Sequence, residues 1–165
     1  MEVWRPDPLP KRPTPAVIWV HGGGWNSGSR VENPSLFLAQ AGYFTVSVDY
    51  QLSGHAKFPA QLLDLKAAVR WLRSHAKELN IDPNRIGVWG HSAGGHLAAL
   101  LGTSGDVAEF DGKGGPSTKV QAVVDLAGPI DLLETAAPTS PNTQAAQLLG
   151  GPPSRKADAA RQANP

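Results

Sequence analysis

Val88 Trp89 Gly90 His91 Ser92 Ala93 Gly94 Gly95 His96 Leu97 Ala98 is the stretch on which the reading of this chain turns. Arg85 to Trp89 predicts a buried strand and the small residues from Ala93 to Leu101 predict a helix, with a GxSxG turn between them. A strand-to-helix turn this tight puts its serine in a strained backbone conformation, and glycines at 90 and 94 let the neighbouring backbone pass without Cβ clashes. The Ser92 hydroxyl is then held out into a cleft. The helix that starts at once aims its unpaired N–H groups at the same point, which makes the Ala93 amide a candidate donor to a developing oxyanion. Glycine and serine are common, so GxSxG alone is a weak signal; its place between a strand and a helix gives it weight.

A second glycine motif, His21 Gly22 Gly23 Gly24 Trp25, ends the β-branched and aromatic run Ala16 to Val20. Successive glycines leave backbone amides uncovered, and such a loop can supply the remaining donors of an oxyanion hole. A phosphate-cradling loop would need a lysine followed by serine or threonine, or GxGxxG spacing, and Trp25 Asn26 Ser27 Gly28 Ser29 offers neither. A plain flexible turn is the remaining alternative.

Around these motifs the pattern alternates strand and helix. Asn33, Pro34 and Ser35 open a helix that stops at Gly42, and Tyr43 to Asp49 is the next strand. From Pro59 to Leu79, apolar residues at Leu62, Leu65, Val69, Leu72, Ala76 and Leu79 predict one amphipathic helix, with Asp64, Lys66, Arg70, Arg73 and Lys77 mostly on its other faces. Asn80 and the Asp82 Pro83 Asn84 turn end it. Gly102 to Gly115 reads as a glycine-rich loop and Val120 to Leu126 as a further strand. Short connections between alternating elements predict a mostly parallel sheet with helices on both faces.

The expected organisation is a single domain over 1–165, with an irregular, proline-rich 1–15, a sheet-and-helix core over 16–128, and 129–165 as a partial lid or a tail. In that last segment Thr143 to Leu149 and Ser154 to Gln162 have helical character. The 165 residues are 41% hydrophobic and 18% charged, ordinary for a globular chain with a real core. A net charge of +1 without a basic stripe points away from nucleic acid. No stretch has the length and apolarity of a membrane span, and Met1 to Pro15 has no apolar run for a signal peptide, so the default expectation is cytoplasmic, with the N-terminus read as incomplete. Without cysteine there is no disulfide framework and no thiol nucleophile.

HGGGW followed by GHSAGGHLAAL, with Ser47 to Leu52, Phe58 Pro59 Ala60, Asp64 and Trp71 Leu72 Arg73, resembles the α/β-hydrolase superfamily, in the carboxylesterase group of hormone-sensitive-lipase and acetyl-xylan or feruloyl esterase types. The resemblance implies a serine carboxylic-ester hydrolase that works through an acyl-enzyme on a small uncharged ester, with no cofactor and no metal. It makes Ser92 the nucleophile and Gly23, Gly24 and Ala93 the oxyanion donors. The family order is serine, acid, histidine, and no histidine follows His96. The chain is therefore expected to be a partial α/β-hydrolase fold lacking the last two strands and, with them, the triad acid and histidine. A catalytically inactive hydrolase-fold binding or scaffold protein is the alternative.

His21, His91 and His96 are expected to make structural hydrogen bonds, and His55 and His75 to lie on the surface. Asp125 and Asp131 follow the last predicted strand, where either could orient a histidine; with none following, they are expected to form a strand-end hydrogen bond and a helix or turn cap. An open edge at Val120 to Leu126 would invite pairing with a second copy.

Overall fold

The computed structural model describes all residues except 106, 112–113 and 135–136. Its strands are β1 (Glu2–Trp4), β2 (Thr14–Val20), β3 (Phe44–Val48), β4 (Ile81–His91) and β5 (Ala122–Leu126), in the sheet order β1-β3-β2-β4-β5. Every neighbouring pair is parallel except β1 with β3, where Val3 stands opposite Val46. The expected mostly parallel sheet is present. Two strands reach into the stretch read as irregular: β1, too short to display a period of two, and the first residues of β2. Contrary to the expected start at Arg85, β4 begins at Ile81. The Asp82 Pro83 Asn84 turn persists, with the Asn84 N–H donating to Asp82 Oδ1 at 2.9 Å. It forms an irregularity inside the strand, between the pairs Thr14–Ile81 and Ala16–Ile86.

Strand alternation sorts the two faces. Ile18 is in register with Val46 and Val88, and these pack in one buried cluster with Leu62 and Leu65 of α2 (Ala60–Ser74) and Leu97 and Leu101 of α4 (Ala93–Thr103). One position on, Trp19 pairs with Trp89, their rings 4.5 Å apart. Phe37 of α1 (Leu36–Gln40) stands edge-on to Trp89 at 5.9 Å. Helices thus cover both faces.

The helix expected from Pro59 to Leu79 is broken at His75 into α2 and α3 (Ala76–Leu79). The His75 ring stacks on Trp71 at 4.4 Å, with Nδ1 2.8 Å from the Trp71 carbonyl oxygen. Lys66, expected on an outer face, is fully buried. Its ammonium donates to the Ser104 carbonyl (2.6 Å), Asp111 Oδ1 (3.0 Å) and Thr118 Oγ1 (3.1 Å), so the segment after α4 closes over this face of α2. Arg70 adds a bond to the Asp111 carbonyl. Burial by itself would raise the Asp111 pKa, but the Thr118 hydroxyl and the Lys66 and Arg70 charges hold it below the usual carboxylate value. Within the expected loop Gly102 to Gly115 lies a short helix, α5 (Ala108–Asp111), anchored by buried Phe110 against Phe58 at 5.9 Å. Positions 106, 112 and 113 of that loop lie outside the described residues.

The segment after Gly128 packs onto this body. It contains α6 (Gln144–Leu149), a 3-10 turn (Pro153–Arg155) and α7 (Ala157–Gln162). Thr143 caps α6 by accepting the Ala146 N–H at 3.0 Å, and Leu132, Leu148, Ala160 and Ala163 are fully buried. Positions 135 and 136 lie outside the described residues. By contrast β5, at the edge of the sheet, begins at Ala122 rather than Val120 and leaves Val124 half exposed. Among the described residues no helix is long and apolar enough to cross a membrane.

Candidate active site

Ser92 joins β4 to α4 with φ 54° and ψ −121°. A non-glycine residue in that region costs of order 1–3 kcal/mol and persists only where its surroundings over-determine it. They do so here. The Ser92 N–H donates to the Leu126 carbonyl of β5 at 2.8 Å, and its own carbonyl accepts the His96 N–H at 3.0 Å, opening α4. The glycines are sterically required. A Cβ at Gly90 would overlap the Gly94 carbonyl, one at Gly94 would overlap the Val20 carbonyl and lie 2.5 Å from His21 O, and one at Gly95 would overlap Asp125 Oδ1.

The HGGGW loop arrives from the end of β2. A Cβ at Gly22 would lie 3.5 Å from Ser92 Cβ and 3.0 Å from the His91 carbonyl, so the two motifs are packed directly together. Gly23, Gly24 and Trp25 all have positive φ, at 102°, 58° and 60°. The Gly23 carbonyl accepts the Asn26 and Ser27 N–H groups at 3.1 Å and the Ser27 hydroxyl at 2.9 Å. This turns the carbonyl inward. Among the described residues the Gly23 and Gly24 amides meet no acceptor. The Ala93 N–H, first in α4, has no acceptor within its own helix either.

Of the five histidines, none is hydrogen-bonded to the Ser92 hydroxyl among the described residues. His21 is buried, stacked on Tyr50 at 4.4 Å, with Nδ1 2.8 Å from the Gly22 carbonyl oxygen. The Tyr50 hydroxyl donates to the His21 carbonyl at 3.1 Å, and burial followed by the Glu32 charge raises its pKa. His96 is fully buried between two partners: Trp25 Nε1 donates to its Nδ1 at 3.2 Å, and its Nε2 lies 2.7 Å from the Ala163 carbonyl oxygen. Because Nδ1 accepts, the ring proton sits on Nε2 and donates to Ala163. Burial lowers the His96 pKa against the opposing pull of the Ala163 carbonyl and Asp125, so the ring is neutral. These rings hold structural bonds, as expected from sequence. Contrary to expectation, the His91 ring is exposed beside Gly22 and makes no hydrogen bond among the described residues; His55 is exposed as expected, and His75, expected on the surface, is half-buried.

Asp125 Oδ1 accepts the Gly128 N–H at 2.7 Å, the strand-end bond expected. Asp131 Oδ1 accepts the Leu133 N–H at 2.8 Å and Asn164 Nδ2 at 3.0 Å, the expected turn cap. The Leu133 amide and then Asn164 lower its pKa. Two features had no sequence signal: the carboxamide of Gln144, which lies against Gly24, and the His96 bridge from Trp25 to the far end of the chain.

A parallel sheet flanked by helices, with a serine at a strained turn after a central strand and a glycine loop packed beside it, defines an α/β hydrolase. The BD-FAE family matches residues 1–165, and the chain belongs to that family. It is similar to the esterase LipC of Mycobacterium tuberculosis, 36% identical over 143 residues that cover 84% of this chain and 36% of LipC. Among solved structures, a truncated carbohydrate esterase from gut microbiota superposes with TM-score 0.87 at 30% identity, covering 98% of this chain and 64% of that one. A propionate-bound thermophilic esterase of Thermogutta terrifontis superposes with TM-score 0.73 at 28% identity, covering 93% of this chain and 58% of its own. The chain spans about a third of the length of curated relatives it matches.

Proposed function

We propose that this chain carries the nucleophile and oxyanion half of a serine carboxylic-ester hydrolase. Ser92 Oγ attacks the ester carbonyl carbon, the carbonyl oxygen takes up the charge beside the amides of Gly23, Gly24 and Ala93, and the alcohol leaves to give an acyl-serine that water then hydrolyses. The observation that carries this reading is the contact of the two glycine motifs at Ser92, with the Gly23 and Gly24 amides lacking any acceptor among the described residues. The similarity to named esterases and to a propionate-bound esterase supports an uncharged ester with a small acyl group as the substrate class.

A general base is needed to activate the hydroxyl, and His96 and His21 are committed to other bonds. The base is therefore proposed to come from beyond these 165 residues, which act as one domain with 129–165 flanking the site as part of a lid. A protein extended at its C-terminus by sequence that carries an acid and a late histidine should hydrolyse short-chain p-nitrophenyl esters, and Ser92→Ala should abolish the reaction. Hydrolysis that survives Ser92→Ala would refute the assignment. The absence of an imidazole bonded to Ser92 among the described residues favours a second reading, a binding protein that keeps the cleft without turnover; an extended protein that binds esters and never acylates would establish it. Self-association through the β5 edge is proposed alongside either reading, from the exposure of Val123, Val124 and Leu126.

A further inference from the structure

The side chain of Gln144, first residue of α6, lies flat against the glycine loop. A Cβ at Gly24 would collide with its Nε2 and Cδ and lie 2.6 Å from its Oε1, so the carboxamide covers the Gly24 α-carbon. The residue is exposed, and among the described residues its carboxamide has no hydrogen-bond partner. Its position is nonetheless fixed. One turn along α6, Gln147 Oε1 accepts Asn26 Nδ2 at 3.0 Å, Thr143 caps the helix, and Ala145, Ala146, Leu148 and Leu149 are buried beneath it. A group with two donors and an acceptor, uncharged at every working pH, is thus held beside the candidate oxyanion loop with its hydrogen-bonding edge unused.

We propose that Gln144 is a specificity-determining residue: its carboxamide hydrogen-bonds a hydroxyl on the substrate close to the scissile ester, so that esters of hydroxyl-bearing alcohols bind better than plain alkyl esters. The inference rests on the reading of Gly23 and Gly24 as oxyanion donors. If the ester carbonyl oxygen sits on those amides, the groups attached to that carbonyl pass Gly24, and a hydroxyl a few bonds away meets Gln144. A neutral amide matches a neutral hydroxyl without the desolvation cost that a charged partner would bring. One such bond of ordinary net strength changes affinity roughly 3- to 10-fold.

The test titrates the isotope-labelled 165-residue chain with glycerol monoacetate and with propyl acetate, following by NMR the Gln144 side-chain amide and the Gly23 and Gly24 backbone amides. Both esters should move the glycine amides, and only glycerol monoacetate should move the Gln144 amide strongly. Gln144→Met keeps the packing on Gly24 and removes the hydrogen bond; it should weaken glycerol monoacetate roughly 3- to 10-fold and leave propyl acetate unchanged. Equal effects on the two esters, no effect on either, or a still Gln144 signal while the glycine amides move would overturn the inference and leave the oxyanion reading standing. Glycine amides that respond to neither ester would overturn both.

Discussion

At the Ser92 turn, Gly90, Gly94 and Gly95 leave no room for one more carbon, whereas along the adjacent β5 the side chains of Val123, Val124 and Leu126 are 40%, 50% and 40% exposed. The first region is specified mainly by backbone approaching backbone: its glycines are neighbours in sequence, and they pack against Val20 and His21 at the end of β2 and Asp125 of β5. The second is apolar surface whose burial depends on whatever packs against it. The contrast teaches that the backbone geometry at the Ser92 turn can be set while a neighbouring strand keeps apolar side chains exposed, because close backbone packing fixes the one and burial of apolar surface governs the other.

The largest expected effect tests the crowding at the turn. Gly94→Val would drive side-chain carbons into the Val20 and His21 carbonyls, and should cost about 3 kcal/mol of unfolding free energy in urea. A loss under about 1 kcal/mol would show that the turn can open and that the crowding is not decisive. Next comes the buried bridge. His96→Leu strands Trp25 Nε1 and the Ala163 carbonyl, and should cost about 2 kcal/mol. The pH dependence follows from the lowered His96 pKa. The unfolded state binds the proton more readily, so the His96 contribution is present above the ordinary histidine value and is lost as pH falls below it. The wild type should lose stability between about pH 7 and about pH 5, a step missing in His96→Leu; identical pH profiles would remove His96 as the cause. Asp111 and Asp131, whose pKa values are also lowered, act only at lower pH.

Smaller still, Ser92→Gly relieves the positive φ of Ser92 and should stabilise the chain by about 1 kcal/mol. A destabilised Ser92→Gly would mean that the serine side chain makes a contact worth more than the strain. On the open edge, Val124→Lys should change monomer stability by no more than about 0.5 kcal/mol, while sedimentation should show less self-association than wild type. A wild type that stays monomeric at high concentration would leave the edge without the proposed role.

What could be read from the sequence follows the same division. The Ser92 turn, the glycine loop and the apolar stripe of α2 are local patterns, and each is found where the pattern puts it. The burial of Lys66 is not legible in the sequence because its partners Asp111 and Thr118 lie 45 and 52 residues away, and a helical wheel shows only that a lysine is off the apolar stripe. The short α5 depends on Phe110 meeting Phe58, a contact invisible to any window of neighbouring residues. The His96 bridge spans 71 residues to Trp25 and 67 to Ala163. A lone histidine one turn after the serine suggests a structural role and says nothing about which groups it joins. The segment after Gly128 read weakly because small residues such as Ala160 and Ala163 anchor it, and alanines give little periodic signal.

We propose that Ser92 and the Gly23, Gly24 and Ala93 amides form a nucleophile and oxyanion site that works once a base is supplied. Supplying imidazole in solution to the 165-residue chain with p-nitrophenyl acetate, and locating the acetyl group by mass spectrometry, tests this most directly. The account predicts imidazole-dependent acetylation of Ser92, absent in Ser92→Ala and slowed on the order of 10²-fold in a folded Gly23→Val variant. Acetylation that settles on other residues, or that proceeds at Ser92 as fast in folded Gly23→Val as in wild type, would contradict it.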